Sequence, residues 1–252
     1  MTENTANQSQ QDSDKKARSA FLHNDVYESI PPRYDFINHL FTGGMDIGWR
    51  KKAAKECVSS NPSTVLDICC GKGDLSLSVA KLAAKDTKVT GLDYSQPMLD
   101  VAISKAVKAG YDITFVTGDI SDIPFPDNSF DSMCIGFGFR NLTYKNDMSA
   151  QYISEILRVL KPGGRFVIVE SSQPATNAVI IKFFHRLFVK YIVSFLGRIV
   201  SGNSAAYQYL AESAANYYGA EELRDLLLKS GFSKVTFKRL FFGAAAIHVA
   251  VK

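Results

Sequence analysis

The residues of this chain whose types and spacing could do chemistry begin with a glycine turn and three acids. Val65-Leu66-Asp67-Ile68-Cys69-Cys70-Gly71-Lys72-Gly73-Asp74 is an apolar run that ends in a Gly-x-Gly turn and opens into a segment with helical spacing. Glycine lets a backbone approach a ligand closely and take positive φ. The turn is therefore either a plain tight link or a ligand cradle. A dinucleotide fingerprint requires a third glycine, as in G-x-G-x-x-G, and here Leu75 and Ser76 follow Asp74. A pyrophosphate would also lie at the helix N-terminus as an anion, where Asp74 stands. The charge of Asp74 suits a cation better, such as a methionine ammonium or a sulfonium.

Asp93, in Gly91-Leu92-Asp93-Tyr94-Ser95, ends the next apolar run. An acid there can accept both ribose hydroxyls of a nucleoside; the plain alternative is a helix N-cap, a role that Ser95 could fill instead. Asp119, in Thr117-Gly118-Asp119-Ile120, follows the third run. Its carboxylate could accept an adenine amino group while Ile120 packs the ring, or it could serve only as a turn residue. The three acids recur at the ends of successive runs, and open parallel sheets bind ligands at the carboxyl ends of their strands. Asp67, Gly71, Lys72, Gly73, Asp74, Asp93, Tyr94, Asp119, Ile120 and Gly136 are the candidate cofactor-binding residues.

The elements that must position these residues can be read from the pattern. Apolar runs at Thr64–Cys69, Lys88–Asp93, Asp112–Thr117, Phe130–Phe137 and Arg165–Val169 predict strands. Helical spacing falls at Leu75–Ala84, Gln96–Ala109, Met148–Leu160 and Ala220–Ser230, and Pro162-Gly163-Gly164 reads as a turn. Such alternation predicts a parallel, doubly wound sheet with helices on both faces. Val235–Leu240 and Ala245–Val251 are joined by a short link near Gly243. A link that tight demands an antiparallel pair, so the last strand should run against the others. Residues 1–19 are polar throughout and predict a disordered tail. Residues 20–252 predict one domain, with an N-terminal helical lid over 20–58 and a helical insertion on the substrate side over 174–219.

Composition narrows the classes further. Lys and Arg outnumber Asp and Glu by only 29 to 25, which argues against a nucleic-acid binder. Cys57, Cys69, Cys70 and Cys134 contain no C-x-x-C pair, and the four histidines are scattered. Neither a disulfide framework nor a metal site is expected. The polar start has no signal-peptide core, so a reducing, cytoplasmic setting is expected.

The Gly-x-Gly turn, the acids after strands two and three, and Leu160-Lys161-Pro162-Gly163-Gly164 together resemble a class I methyltransferase. The resemblance implies S-adenosyl-L-methionine as methyl donor, no metal, and a seven-stranded, mostly parallel sheet with an antiparallel last strand. Tyr34-Asp35-Phe36-Ile37-Asn38, Trp49-Arg50, Gly136-Phe137-Gly138-Phe139-Arg140-Asn141 and Tyr209-Leu210-Ala211-Glu212-Ser213 are more specific. They resemble the C-methyltransferases of menaquinone and ubiquinone biosynthesis over nearly all of the chain after residue 20. Pro124-Phe125-Pro126-Asp127 and the LKPGG turn are shared with many methyltransferases and discriminate little. The chain departs from the family pattern with Lys72 in place of a common threonine, Asp46 in place of a histidine and Gly136 in place of a serine.

The resemblance implies methylation of a ring carbon of a lipid-tailed quinol, demethylmenaquinol first and the benzoquinol of ubiquinone synthesis second. An O- or N-methyltransferase for another small acceptor, and a regulatory protein that only binds the cofactor, are the other readings. A ring carbon becomes nucleophilic when its hydroxyl loses a proton, and a phenol has a pKa of about 10. Arg140 could stabilise the phenolate but not act as base, since a guanidinium keeps its proton. Asn141 could orient the second oxygen and Tyr34 could relay a proton. For Arg140 the alternative is a loop-bracing salt bridge to Asp131 or Glu170, and for Tyr34 it is packing. Over 179–200, Lys182, Arg186 and Lys190 recur every fourth residue among apolar neighbours. This basic amphipathic segment could lie on an anionic membrane surface or pack on the core or on a second subunit of a homodimer.

Overall fold

A computed structural model describes Thr42, residues 44–173, Ser213 and residues 216–252. Tyr34, the tail, most of the expected lid and the segment 179–200 lie outside the described residues. The first described helix, α1, spans Met45–Val58. Then come β1 (Thr64–Ile68), α2 (Asp74–Ala80), β2 (Lys88–Asp93), α3 (Gln96–Ala109), β3 (Thr114–Thr117) and β4 (Phe130–Gly136). They are followed by α4 (Phe139–Thr143), α5 (Ser149–Val159), β5 (Leu160–Ser171), α6 (Ala220–Lys229), β6 (Lys234–Leu240) and β7 (Ala245–Val251).

The seven strands form one sheet in the order β3-β2-β1-β4-β5-β7-β6. The pairs from β3 to β5 are parallel, and β7 runs antiparallel to both β5 and β6. The last strand is thus reversed, as its tight link to β6 requires. The inner strands are apolar on both sides because helices cover both faces. Val65, Cys134, Val167 and Val169 pack with Trp49, Ala53 and Ala54 of α1 and with Leu75 and Val79 of α2. Leu66, Met133, Ile135 and Phe166 pack with Tyr152, Ile153 and Ile156 of α5 and with Leu223 and Leu227 of α6. The buried positions of α5 fall at the helical spacing that gives a single apolar stripe.

Among the differences from the sequence reading, three bear on the site and its frame. α2 stops at Ala80 rather than Ala84. The short helix α4 was not expected from the sequence. Pro162-Gly163-Gly164 lies inside β5, which starts at Leu160, rather than in a turn before it. Phe130 pairs with Leu160 and Ser132 with Arg165, so β5 carries a long bulge. The bulge is held from far along the chain: Gly163 N donates to Lys252 O at 3.1 Å and Lys252 N to Gly164 O at 3.0 Å.

The sheet leaves no room beside Gly91 of β2. A Cβ there would lie 2.7 Å from the Phe115 ring and 2.9 Å from Cys70 Sγ. Gly91→Ala is therefore expected to lower the free energy of unfolding by about 1–3 kcal/mol through overpacking. Phe115→Leu in the same chain should recover part of the loss. A urea midpoint unchanged in the single variant would show that the ring moves aside freely.

Candidate active site

β1 and β4 are neighbours, yet the chain leaves β1 for α2 on one face and leaves β4 for α5 on the other. The crevice where strand order reverses is the usual ligand site of an open parallel sheet. Both strands end there in a sharp bend at a residue other than glycine. Cys69 has φ 49° and Phe137 has φ 61°. Side chains rarely tolerate that region, and such strain gathers at functional sites.

The first lip of the crevice is the glycine turn. Gly73 has φ 74°, and a Cβ there would meet Ala102 Cβ at 2.9 Å, so both the turn and the close approach of α3 require glycine. Below the turn lies Asp67, fully buried. Ser76 Oγ of α2 donates to its Oδ2 at 2.5 Å, and Cys134 Sγ of β4 lies 3.6 Å from its Oδ1. Removal from water pushes its pKa up to about 7, against these hydrogen bonds and with a smaller push from Asp93. Asp74 opens α2 and pairs with Lys105 of α3 at 2.7 Å. The sequence left the charge of Asp74 for a ligand; the fold gives it a cation of the chain's own. That pair is about a third exposed on each side, so it is weak and open to competition.

The next acids follow along the same edge. Asp93 ends β2, and its Oδ2 accepts from Gly71 N at 2.7 Å while its Oδ1 accepts from Ser95 N at 2.9 Å. Asp93 therefore ties the glycine turn to the start of α3. A carboxylate oxygen can accept more than one hydrogen bond. Asp119 Oδ1 accepts from Ser121 N at 2.7 Å, and Ile120 beside it is buried. Lys72 is half-buried and Tyr94 is exposed. An acidic edge, a glycine cradle and a buried apolar residue fit a nucleoside that carries positive charge.

The opposite lip is Gly136-Phe137-Gly138, leading into α4. Arg140 is buried, and its Nη1 donates to Ser171 Oγ at 3.0 Å. Ser171 Oγ and N both donate to Glu170 Oε1 at 2.8 Å, while Arg140 N donates to Glu170 Oε2 at 3.1 Å. Glu170, itself buried, thus fastens the loop after β4 to the end of β5. Asp131, the other partner considered for Arg140, is held instead by Lys161 at 2.6 Å and Thr64 Oγ1 at 2.9 Å. Asn141 Oδ1 is buried and has no hydrogen-bond partner among the described residues. Behind α4, Thr143 Oγ1 and Tyr217 OH lie 2.9 Å apart in the core.

α1 clamps this loop from the side. Trp49 meets the Phe137 ring at 6.3 Å between centroids, and the Arg50 guanidinium lies 5.0 Å from the Phe137 centroid. Asp46 is buried, pairs with Arg50 and accepts from Thr42 Oγ1 at 2.9 Å. The structure therefore gathers Asp67, Gly71, Gly73, Asp93, Asp119, Gly136 and Arg140 at one sheet edge. Sequence reasoning missed Ser76, Ser171 and the Asp46–Arg50 pair, and it saw Glu170 only as a bracing partner. A serine on the apolar face of a helix, three residues past the glycine turn, was the available signal for Ser76. Among the described residues no group of three or more His, Cys, Asp or Glu side chains could hold a metal ion.

Comparison with known proteins agrees with this geometry. The model of the ubiE/COQ5 methyltransferase family matches residues 12–252. The demethylmenaquinone methyltransferase of Thermus thermophilus is 38% identical over 227 residues, 89% of this chain and 98% of that protein. The demethylmenaquinone methyltransferase of Staphylococcus saprophyticus is 36% identical over 239 residues, 95% of this chain and 99% of that protein. Among solved structures, a SAM-dependent methyltransferase from Aquifex aeolicus superposes with TM-score 0.54 at 19% identity, covering 79% of this chain and 88% of that one. A protein from Pyrococcus horikoshii gives 0.54 at 19%, covering 79% and 90%. At such identity the structural matches speak for the fold alone.

The raised pKa of Asp67 has a consequence for stability. Between the ordinary value of 3.8 and about 7, the folded chain keeps a proton that the unfolded chain has lost. The contribution of Asp67 to stability is therefore greatest at acid pH and falls as pH rises to about 7. At 1.36 kcal/mol per unit, the loss is about 4 kcal/mol above pH 7. Asp67→Asn should thus gain melting temperature relative to wild type on going from pH 5 to pH 8. An equal difference at both pH values would mean that Asp67 is ionised throughout.

Proposed function

The chain belongs to the ubiE/COQ5 methyltransferase family, and from that premise we propose that it methylates a ring carbon of a lipid-tailed quinol, demethylmenaquinol foremost. The observation that carries the acceptor side is the buried Arg140, held by Ser171 and Glu170 across the crevice from the glycine turn. The relatives named demethylmenaquinone methyltransferase support the choice of ring, since they align over almost the whole chain. The ubiE/COQ5 family name keeps the benzoquinol of the ubiquinone pathway as the second acceptor to test.

S-adenosyl-L-methionine, bound on the acidic edge, supplies an electrophilic methyl group. Gly71, Gly73 and Asp74 would take its methionine end, Asp93 its ribose hydroxyls, and Asp119 with Ile120 its adenine. Asp67, Lys72, Tyr94 and Gly136 complete the proposed contacts. On the acceptor side the ring hydroxyl gives its proton up toward solvent, Arg140 stabilises the oxyanion that remains, and the oxyanion donates electron density to the carbon to be methylated, which sheds its own proton to solvent once the methyl is in place. A guanidinium does this by charge and hydrogen bonding without taking the proton. Glu170 and Ser171 hold Arg140 in place. Asn141 Oδ1, with no partner in the described protein, accepts the second ring hydroxyl. Tyr34 relays or positions a proton through its phenolic oxygen.

No helix among the described residues is long and apolar enough to cross a membrane. A cytoplasmic enzyme that visits the bilayer surface, with 179–200 lying against it, suits a lipid-tailed acceptor. A homodimer is part of the same reading.

Two outcomes test the mechanism. Arg140→Ala should lower the maximal rate by about 10²–10³ with cofactor affinity nearly intact, and Arg140→Lys should recover only part, lacking the planar fork. Raising the pH should partly rescue the alanine variant by supplying phenolate. Loss of cofactor binding and thermal stability together, without rescue, would make Arg140 a loop brace only.

The acceptor is identified by assaying demethylmenaquinol and the benzoquinol side by side, with NMR locating the new methyl. Oxidised quinone should be inert when reductants are excluded, because it has no ring hydroxyl to ionise. Equal rates on quinone and quinol would overturn the phenolate route.

A further inference from the structure

Two aromatic side chains are spent on nothing in the described core. Phe241 and Phe242 form the turn between β6 and β7 and are 53% and 71% exposed. Their rings stand edge to face, 5.6 Å between centroids. Their φ values, 42° and 55°, lie in the left-handed region that bulky side chains avoid. The surrounding hydrogen bonds impose that backbone. Ala244 N donates to Phe241 O at 3.1 Å, and Ser172 N donates to Ala244 O at 2.9 Å. The pair is thus presented outward at a backbone cost, not left there by slack packing.

The turn has a defined place. Ala245 pairs with Ser171, so the tip stands at the carboxyl edge of the sheet, beside the strand end that holds Arg140. Ile47, 63% exposed in the first turn of α1, adds an apolar side chain at that edge, where its neighbour Trp49 meets Phe137.

Set back from the tip is a lysine groove of about 300 Å³ between α1 and β6–β7, lined by Lys52, Lys55 and Lys238 with Thr236, Ile247 and Val249 among its walls. Its acid, Glu56, is 3.5 Å from Arg165. Lys238 precedes Phe241 by three residues, roughly 10 Å of extended chain. That is about one screening length at physiological salt.

We propose that this face docks on an anionic lipid bilayer, with Phe241 and Phe242 in the interface and the lysine groove facing the headgroups. An apolar tip backed by three lysines against one acid, with Lys238 at about that distance, complements a surface with negative charge outside and hydrocarbon beneath. A lone lipid tail would call for a trough, and this tip is convex. The inference deepens the proposed function and rests on it for the reason the enzyme meets a bilayer. It rests on residues other than 179–200.

The test is co-sedimentation of the full chain with vesicles of phosphatidylcholine, with and without phosphatidylglycerol. Wild type should bind the anionic vesicles preferentially. Phe241→Asn with Phe242→Asn should weaken that binding at least tenfold while keeping the melting temperature and cofactor affinity, because asparagine tolerates the same backbone. Lys52→Glu with Lys238→Glu should remove the preference for anionic lipid, on the order of fivefold for each lysine. Undiminished binding by the phenylalanine variant would overturn the proposal and leave any docking to other segments, as would a wild type that binds no vesicles. A KM raised for long-tailed but not short-tailed quinol in vesicle-free detergent would also overturn it, since the pair would then hold the substrate tail. Turnover of a short-tailed quinol without vesicles reports on the proposed function alone. Its absence alongside intact vesicle binding would sink that function and not the docking face.

Discussion

β1 and β4 share a ladder of hydrogen bonds, and the chain must leave their ends in opposite directions. Every other feature of the site follows from that divergence. It opens the crevice, and it forces two bends sharp enough to put Cys69 and Phe137 in the left-handed region. Bends of that kind persist only when their surroundings hold them. On the β1 side the holder is Asp93, which accepts from Gly71 N. On the β4 side it is the stack of Trp49 and Arg50 on the Phe137 ring, together with Glu170 below. The two lips are fixed by separate means, so one can be altered without undoing the other.

The charges are divided along the same line. Asp67, Asp93 and Asp119 lie on the side of β1, β2 and β3, and on the side of β4 and β5 the guanidinium of Arg140 stands with its brace Glu170. Burial makes each charge expensive unless it is paired or hydrogen-bonded. Asp93 and Asp119 meet this with backbone amides, whereas Asp67 meets it by tending to keep its proton. Arg140 meets it through Ser171. A transfer that moves positive charge off a donor and quenches negative charge on an acceptor needs this polarity: acids beside the donor, a cation beside the acceptor. A uniformly acidic crevice would bind the donor and raise the cost of the phenolate.

Much of this was legible in the sequence, and the reason is local. Apolar runs bounded by glycine or aspartate mark buried parallel strands because two covering helix layers leave them no polar face. The short link at Gly243 is enough to reverse β7. The acids could be found because each lies at the end of a strand or in the turn that follows it. What stayed hidden depends on partners remote in the chain. The bulge at Pro162–Gly164 is held by Lys252, Asp74 is met by Lys105, and Ser171 matters only because Arg140 reaches it. No spacing rule announces such pairings.

The motifs themselves sort by physical task. Arg158, just ahead of the LKPGG segment, donates to the carbonyls of Ile123 and Phe125 and to Asp127, and so clasps the Pro124–Asp127 loop. Its partner Glu155 also accepts from Ile123 N at 2.9 Å. These two motifs, common to many methyltransferases, brace one another, with Pro124 against Gly118 beside Asp119, and carry no information about the acceptor. The Phe137–Asn141 segment, by contrast, supplies the strained bend, the buried guanidinium and the unpartnered amide oxygen. The departure at Asp46 belongs to this second group. Its carboxylate holds Arg50 against Phe137, so an acid there serves the acceptor lip through the ring it steadies. A motif's discriminating power thus follows from where its side chains end: in the frame that braces the sheet, or at the lip of the crevice.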